Sequence, residues 1–242
     1  MSSILARALL LPLLTLAALA VPAWCAHAAG TPAVPAAFEK LVPRAFPDGL
    51  RLVELRQRCT DCPSWRIVDV VPDEPSGPVR KEKVSVVDGV TAMYAYPGSG
   101  FFANAKIEKS APASYERDKG VVVEALEHVY VRSRKGAESY LKAHPDAKEK
   151  LDRVVAGRDY VEFDRARYKG VEYLAVTQNA AIGNAGAMPT QLHIFLPQHG
   201  MIVSAYLMKQ ETTMFKTVDE FRQSQRAFIE GYIDFIVDAP RK

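Results

Sequence analysis

Hydrophobic and polar positions follow their clearest pattern late in the chain, from residue 171 to residue 237. Residues 171–178 (VEYLAVTQ) are rich in β-branched and aromatic side chains, which are typical of strands. Residues 190–196 (TQLHIFL) alternate, and residues 201–208 (MIVSAYLM) are apolar on both faces, as in a central strand. The alternation places Leu192, Ile194 and Leu196 on one face, and Gln191, His193 and Phe195 on the other. The pattern predicts three consecutive strands.

A long helix is predicted after these strands. Thr217 and Glu220 form a capping box, in which a threonine N-cap precedes a glutamate by three residues. The positions behind it form one wide apolar stripe, made of Phe221, Phe228, Ile229, Tyr232, Ile233 and Ile236. Because this stripe needs an apolar sheet face to cover, we predict an α+β fold with a mostly antiparallel sheet and the C-terminal helix packed on one face.

Two strand-like segments, residues 51–58 and 64–71, flank the sequence Cys59-Thr-Asp-Cys62. This order predicts a β-hairpin with the two cysteines at its tip. Further strands are predicted within residues 83–96 and 101–109, where turn residues separate short runs of apolar positions.

Residues 115–134 have two interpretations. Three consecutive valines, Val121 to Val123, are typical of a strand, whereas an apolar stripe at helical spacing favours a helix that Asp118 could cap. We expect the helix. Residues 136–156 continue in helix-forming sequence with a break at His144-Pro145, and residues 158–167 are predicted to be a strand.

The N-terminal region has the features of a secretory signal peptide. An apolar run of fourteen residues, 8–21, follows Arg7 and precedes the small-residue site Ala26-His27-Ala28. We therefore predict a signal peptide at residues 1–28, an Ala/Pro-rich tether at residues 29–50 and a single domain at residues 51–242. The protein is expected to be periplasmic or secreted, with no membrane span after cleavage, and Cys25 leaves with the signal peptide.

Composition and charge place few further limits on function. The 242 residues carry a formal net charge of +3, and acidic and basic residues are interleaved along the chain. This balance gives little reason to expect nucleic acid as a partner.

After cleavage of the signal peptide, Cys59 and Cys62 are the two cysteines left in the chain. An exported protein lies in an oxidising compartment, where such a pair can form a disulfide. A redox-active pair would place Cys59 at a helix N-terminus, with Pro189 packed against the disulfide as in thioredoxin-like proteins. Asp61 would raise a neighbouring thiol pKa, and the sequence after Cys62 is typical of a strand. We therefore expect a structural disulfide, with a thiol–disulfide oxidoreductase as the alternative.

The remaining candidate groups lack the spacing of a catalytic, metal or cofactor site. His193 and His199 have no defined ligand spacing, and three carboxylates flank the turn at Gly170: Glu162, Asp164 and Glu172. Several aromatic residues could line an apolar pocket between sheet and helix: Phe101, Phe102, Tyr173, Phe195 and Tyr206. Ordinary roles at the surface and in the core account for these residues better. We expect no metal and no cofactor.

The strand meander in the second half of the chain and the terminal helix that begins at Thr217 resemble the Mog1/PsbP-like α/β sandwich of small exported bacterial proteins. The resemblance covers residues 50–237 and implies a binding or accessory module without a catalytic residue. We therefore expect an exported, non-catalytic protein that binds an unknown protein or a small apolar ligand.

Overall fold

The computed structural model describes residues 33–73, 77–99, 101–180, 182, 190–208 and 216–238, with only the backbone described at Phe101. The main elements are β1 (Arg51–Gln57), β2 (Trp65–Val70), β3 (Arg80–Ser85), β4 (Asp88–Ala95), β5 (Phe101–Lys109), α1 (Tyr115–Ala143), α2 (Lys148–Val155), β6 (Val161–Tyr168), β7 (Val171–Gln178), β8 (Thr190–Leu196), β9 (Met201–Leu207) and α3 (Val218–Val237). The predicted signal peptide, Cys25, Pro189 and the predicted helix stop at Pro240 lie outside the described residues.

Seven strands form one antiparallel sheet in the order β1-β4-β5-β9-β8-β7-β6. The predictions for residues 171–178 and 190–196 are confirmed at both ends of each strand. β9 lies inside the sheet between β5 and β8, as its two apolar faces indicated. The predicted α+β class is therefore confirmed.

Helix α3 covers one face of this sheet. Its apolar stripe packs with inward residues of β4, β5, β7, β8 and β9 in the larger hydrophobic core. The Thr217 hydroxyl accepts a hydrogen bond from the Glu220 amide at 3.1 Å, so the predicted cap forms. The Glu220 carboxylate accepts from the amide of Lys216 at 2.6 Å, one residue earlier than in the usual capping box.

The prediction of a tether is wrong for the described part of residues 29–50. Six apolar side chains in this segment are buried in the same core as α3: Val34, Phe38, Leu41, Val42, Phe46 and Leu50. The Tyr232 hydroxyl donates a 2.6 Å hydrogen bond to the Leu41 carbonyl and so joins the segment to α3. Alanine and proline suggested a solvated linker, but the apolar residues between them anchor the segment to the domain.

Helix α1 lies over the opposite face of the sheet. Residues 115–134 are helical throughout, so the preferred interpretation is confirmed, and the break at His144-Pro145 separates α1 from α2 as predicted. Val122 and Leu126 pack with apolar residues of β6, β7, β8 and β9 in a second core. Among the described helices, none has the length and apolar character that a membrane span requires.

The strands β2 and β3 form a separate two-stranded sheet that contacts α1. This pairing corrects the predicted hairpin, because β1 pairs with β4 and β2 pairs with β3. The Cys59–Cys62 segment therefore connects two different sheets. The side chain of Asp118, at the start of α1, is fully buried and accepts a 3.0 Å hydrogen bond from the Ser85 amide of β3.

Candidate functional site

Six polar side chains occupy neighbouring positions on the sheet face that α1 covers. The ladders align Asn104, Tyr206 and Gln191 in one row across β5, β9 and β8, and Lys106, Ser204 and His193 in the next. Alternate residues of a strand share a face, so both rows project toward α1, as do the buried apolar residues Leu174, Phe195 and Ile202. We call these six residues the polar block. They lie near the centre of the sheet, beside the apolar residues of the second core.

A cavity of about 280 Å³ lies above the polar block. The sheet contributes Lys106, Gln191, His193, Ser204 and Tyr206; α1 contributes Val122, Ala125, Leu126 and Val129; and β2 contributes Arg66, Ile67, Val68 and Asp69. We call this space the cleft. The sheet, α1 and β2 enclose it from three sides, with polar groups on the sheet and apolar groups on α1.

The polar block has unused hydrogen-bonding capacity. The side-chain oxygen of Asn104 is buried without a partner among the described residues. Within the same part of the chain, neither the Lys106 ammonium nor the Tyr206 hydroxyl forms a hydrogen bond or ion pair. Buried polar groups in folded proteins are nearly always paired, so the Asn104 oxygen is an exception. Lys106 is exposed and Tyr206 is half-buried, and both line the cleft, where another molecule could take the place of the water that they contact.

Arg66 joins β2 to the seven-stranded sheet beside the cleft. Its Nε donates a 2.6 Å hydrogen bond to the Glu108 carboxylate of β5, and both side chains are largely buried. Alternation along β2 directs Arg66 and Val68 toward the protein, and the exposed Ile67 and Asp69 toward solvent. The charge of Arg66 is therefore balanced by Glu108, whereas the charge of Lys106 has no such partner among the described residues.

His193 and Ser204 form the one contact in the cleft that resembles a base and a nucleophile, with the ring Nδ1 2.9 Å from the serine hydroxyl oxygen. Burial, and secondarily the Arg66 cation, lowers the pKa of His193 to about 3, so the ring is neutral at neutral pH and a weak base. Among the described groups, no carboxylate orients the ring, as a catalytic triad would require. The pair therefore supplies hydrogen-bonding groups.

Cys59 and Cys62 form a disulfide with their Cα atoms 5.3 Å apart. The bond lies in the exposed connection between β1 and β2, where the Arg58 guanidinium donates hydrogen bonds to the carbonyls of Cys62, at 3.4 Å, and Pro63. No helix of the described chain begins at Cys59, so the dipole that activates redox thiols is absent there. The contact with Pro189 that the redox interpretation needs lies outside the described residues.

The other candidate residues do not converge on one site. Glu162 and Asp164 each form an ion pair with Arg222, at 2.9 and 2.8 Å, and Glu172 pairs with Lys119 at 2.7 Å. Of the aromatic set, Tyr206 lines the cleft, while Phe102 and Tyr173 pack in or against the larger core and Phe195 in the second. Phe101 has no described side chain.

Metal ligands are likewise separated. His193 lies on β8, and His199 lies in the turn before β9. The described chain contains no group of three or more His, Cys, Asp or Glu side chains that could hold a metal ion.

Sequence reasoning placed Gln191 and His193 on a common face but did not single out Asn104, Lys106 or Ser204. The pattern of β5 contained the missing signal, because polar Asn104, Lys106 and Glu108 alternate with apolar Ala103, Ala105 and Ile107. Such alternation usually indicates a solvated face. Here the polar face lies partly under α1 and β2.

Comparisons of the chain with protein-family profiles, curated proteins and solved structures gave no significant match. The resemblance to Mog1/PsbP-like proteins therefore stays a prediction.

Proposed function

We propose that this is an exported, non-catalytic binding protein that holds a small molecule in the cleft. The observation that carries the proposal is the cleft between the sheet, α1 and β2, which is lined by five of the six side chains of the polar block. A cleft with apolar walls and a few convergent polar groups is the usual form of a small-molecule site.

The energetics of burial support this proposal. An unpaired polar group that is removed from water destabilises a fold by about 1–3 kcal/mol. The buried Asn104 oxygen carries this cost, which an apolar side chain at that position would avoid. Asn104 shares its row with Tyr206 and Gln191, which line the cleft and so can hydrogen-bond to a ligand there.

The position of the disulfide favours a binding function over thiol–disulfide exchange. Cys59 follows a strand and lies in a turn, whereas an activated cysteine benefits from the free amides of a helix N-terminus. Export is proposed on the sequence of residues 1–28, and the Mog1/PsbP-like resemblance favours a binding or accessory module for the rest of the chain.

Native mass spectrometry of the protein recovered from its own exported fraction tests this function. We expect the parent protein to retain a bound small molecule, and an Ala125→Trp variant to lose it because the indole fills the cleft. Ser139→Trp is the matched control, since Ser139 is an exposed residue of the same helix that does not line the cleft.

A double variant, Cys59→Ala with Cys62→Ala, separates the two functions. A binding protein is expected to keep its small molecule without the disulfide, because the cysteines do not line the cleft. Absence of a bound molecule from the parent, or equal retention by Ala125→Trp, would count against the proposal.

A further inference from the structure

A second cavity adjoins the cleft beneath the second half of α1. It has a volume of about 520 Å³ and shares Val129 and Gln191 with the cleft. Its remaining lining is mostly apolar or small, from Gly136, Ala137, Tyr140, Val161 and Ile182, and its polar members are Arg132, Ser133 and Gln178. The space under α1 is therefore polar at one end, over Lys106 and His193, and mostly apolar at the other.

From this arrangement we propose that the cleft binds an anionic amphiphile, namely a single apolar chain that carries a carboxylate. The carboxylate lies at Lys106 over the polar block, and the chain runs past Val129 into the second cavity. This inference rests on the proposed function and names the chemical class of its ligand.

The charge of the cleft favours an anionic head group. Arg66 is paired with Glu108, and Asp69 faces solvent on the outer side of β2, so the exposed Lys106 is the cation of the cleft without an opposite partner among the described residues. The polar block also offers donors, from the Tyr206 hydroxyl and the Gln191 amide, to the oxygens of a carboxylate. Hydrogen bonds that involve a charged group are the stronger ones, so the head group contributes both affinity and orientation.

The dimensions of the second cavity favour a chain as the tail. The stretch of α1 from Val129 to Tyr140 is about 16 Å long, at 1.5 Å per residue, and both residues line the second cavity. Each methylene that leaves water for an apolar site contributes about a fourfold gain in affinity. A small polar solute would fill the cleft and leave the adjoining apolar space unused.

Isothermal titration calorimetry with decanoate tests the head group. We expect decanoate to bind the mature protein. Decanoate should bind the Lys106→Gln variant at least about tenfold more weakly, and the neutral analogue decanol should bind the parent at least about tenfold more weakly. Lys109→Gln is the matched control, because Lys109 is an exposed lysine of the same strand outside both cavities and its loss changes the net charge equally. Equal affinity for decanol, or no effect of Lys106→Gln, overturns the assignment of the head group.

A glycine pair on α1 tests the tail. Gly136 lines the second cavity, Gly120 lines neither cavity, and a Cβ at either position meets no atom within 4 Å. Both Gly→Leu changes should raise the melting temperature, because glycine disfavours a helix interior. We expect Gly136→Leu to weaken decanoate binding about tenfold, Gly120→Leu to leave it unchanged, and acetate to show no binding. Unchanged binding in Gly136→Leu overturns the assignment of the tail.

The two proposals fail in distinguishable ways. Suppose that mass spectrometry finds a molecule that the Ala125→Trp variant does not retain, while titration shows no binding of decanoate to the parent. In that case the ligand class is wrong and the binding function stands. If the parent protein holds no molecule and does not bind decanoate, both proposals are wrong.

Discussion

Replacing Phe46 with alanine is expected to lower the free energy of unfolding by about 3–5 kcal/mol, the range for truncating a buried aromatic residue. Phe46 is 5% exposed, although it lies in the segment that composition suggested was a tether. Its ring stacks on Phe228 with centroids 5.1 Å apart and meets the edge of Tyr94 at 5.3 Å. Truncation would leave a cavity between the N-terminal segment, the sheet and α3.

Urea unfolding followed by circular dichroism measures this effect. Glu39→Ala is the control, because Glu39 is an exposed residue of the same segment and its truncation should change stability by less than about 0.5 kcal/mol. A loss at Phe46 as small as that at Glu39 would mean that residues 33–50 do not belong to the core.

Acidification is expected to destabilise the protein through His193. Its pKa is about 3 in the folded protein, against 6.5 for the free side chain, so below about pH 6.5 the unfolded state takes up a proton that the folded state does not. The stability that the neutral ring contributes is complete above about pH 6.5 and is lost as the pH falls toward 3. The ring lines the cleft, where water reduces the effect, so we expect about 2–3 kcal/mol of the loss between about pH 7 and pH 4 to come from this residue.

The measurement compares unfolding free energies across this pH range for the parent, His193→Gln and His144→Gln. The difference between parent and His193→Gln should shrink or reverse as the pH falls, because glutamine does not titrate. His144 is exposed, so its variant should follow the parent. Parallel curves for the parent and His193→Gln would contradict the assignment.

Local sequence signals were sufficient where one segment determines its own conformation. The alternation of residues 190–196 correctly predicted which side chains of β8 share a face, and the capping box at Thr217 correctly predicted the start of α3. Both signals depend on contacts within a few residues. The terminal helix also needed an apolar face to cover, so the fold class could be predicted as well.

Pairings between distant segments could not be predicted in the same way. The turn at Cys59 suggested that its flanking strands pair with each other, but β1 pairs with β4, and neither strand's own residues encode that choice. The polar block presents the same difficulty, since Asn104 and Lys106 meet Ser204 and Tyr206 through a ladder that spans roughly a hundred residues of sequence. β5 alone has the pattern of a solvated face, and β9 alone has that of a buried central strand.

The central claim is that the polar block binds a ligand. The most direct test is the stability of a variant in which three residues of the polar block are replaced by apolar ones. The variant combines Asn104→Leu, Lys106→Met and Gln191→Met, which replace polar groups with apolar groups of similar size. If the polar residues exist for binding, the free energy of unfolding without ligand should rise by about 1 kcal/mol, because a buried unpaired oxygen is removed and apolar contact with α1 is gained. A fall of more than about 2 kcal/mol would mean that these side chains hold the fold together, and would contradict the account.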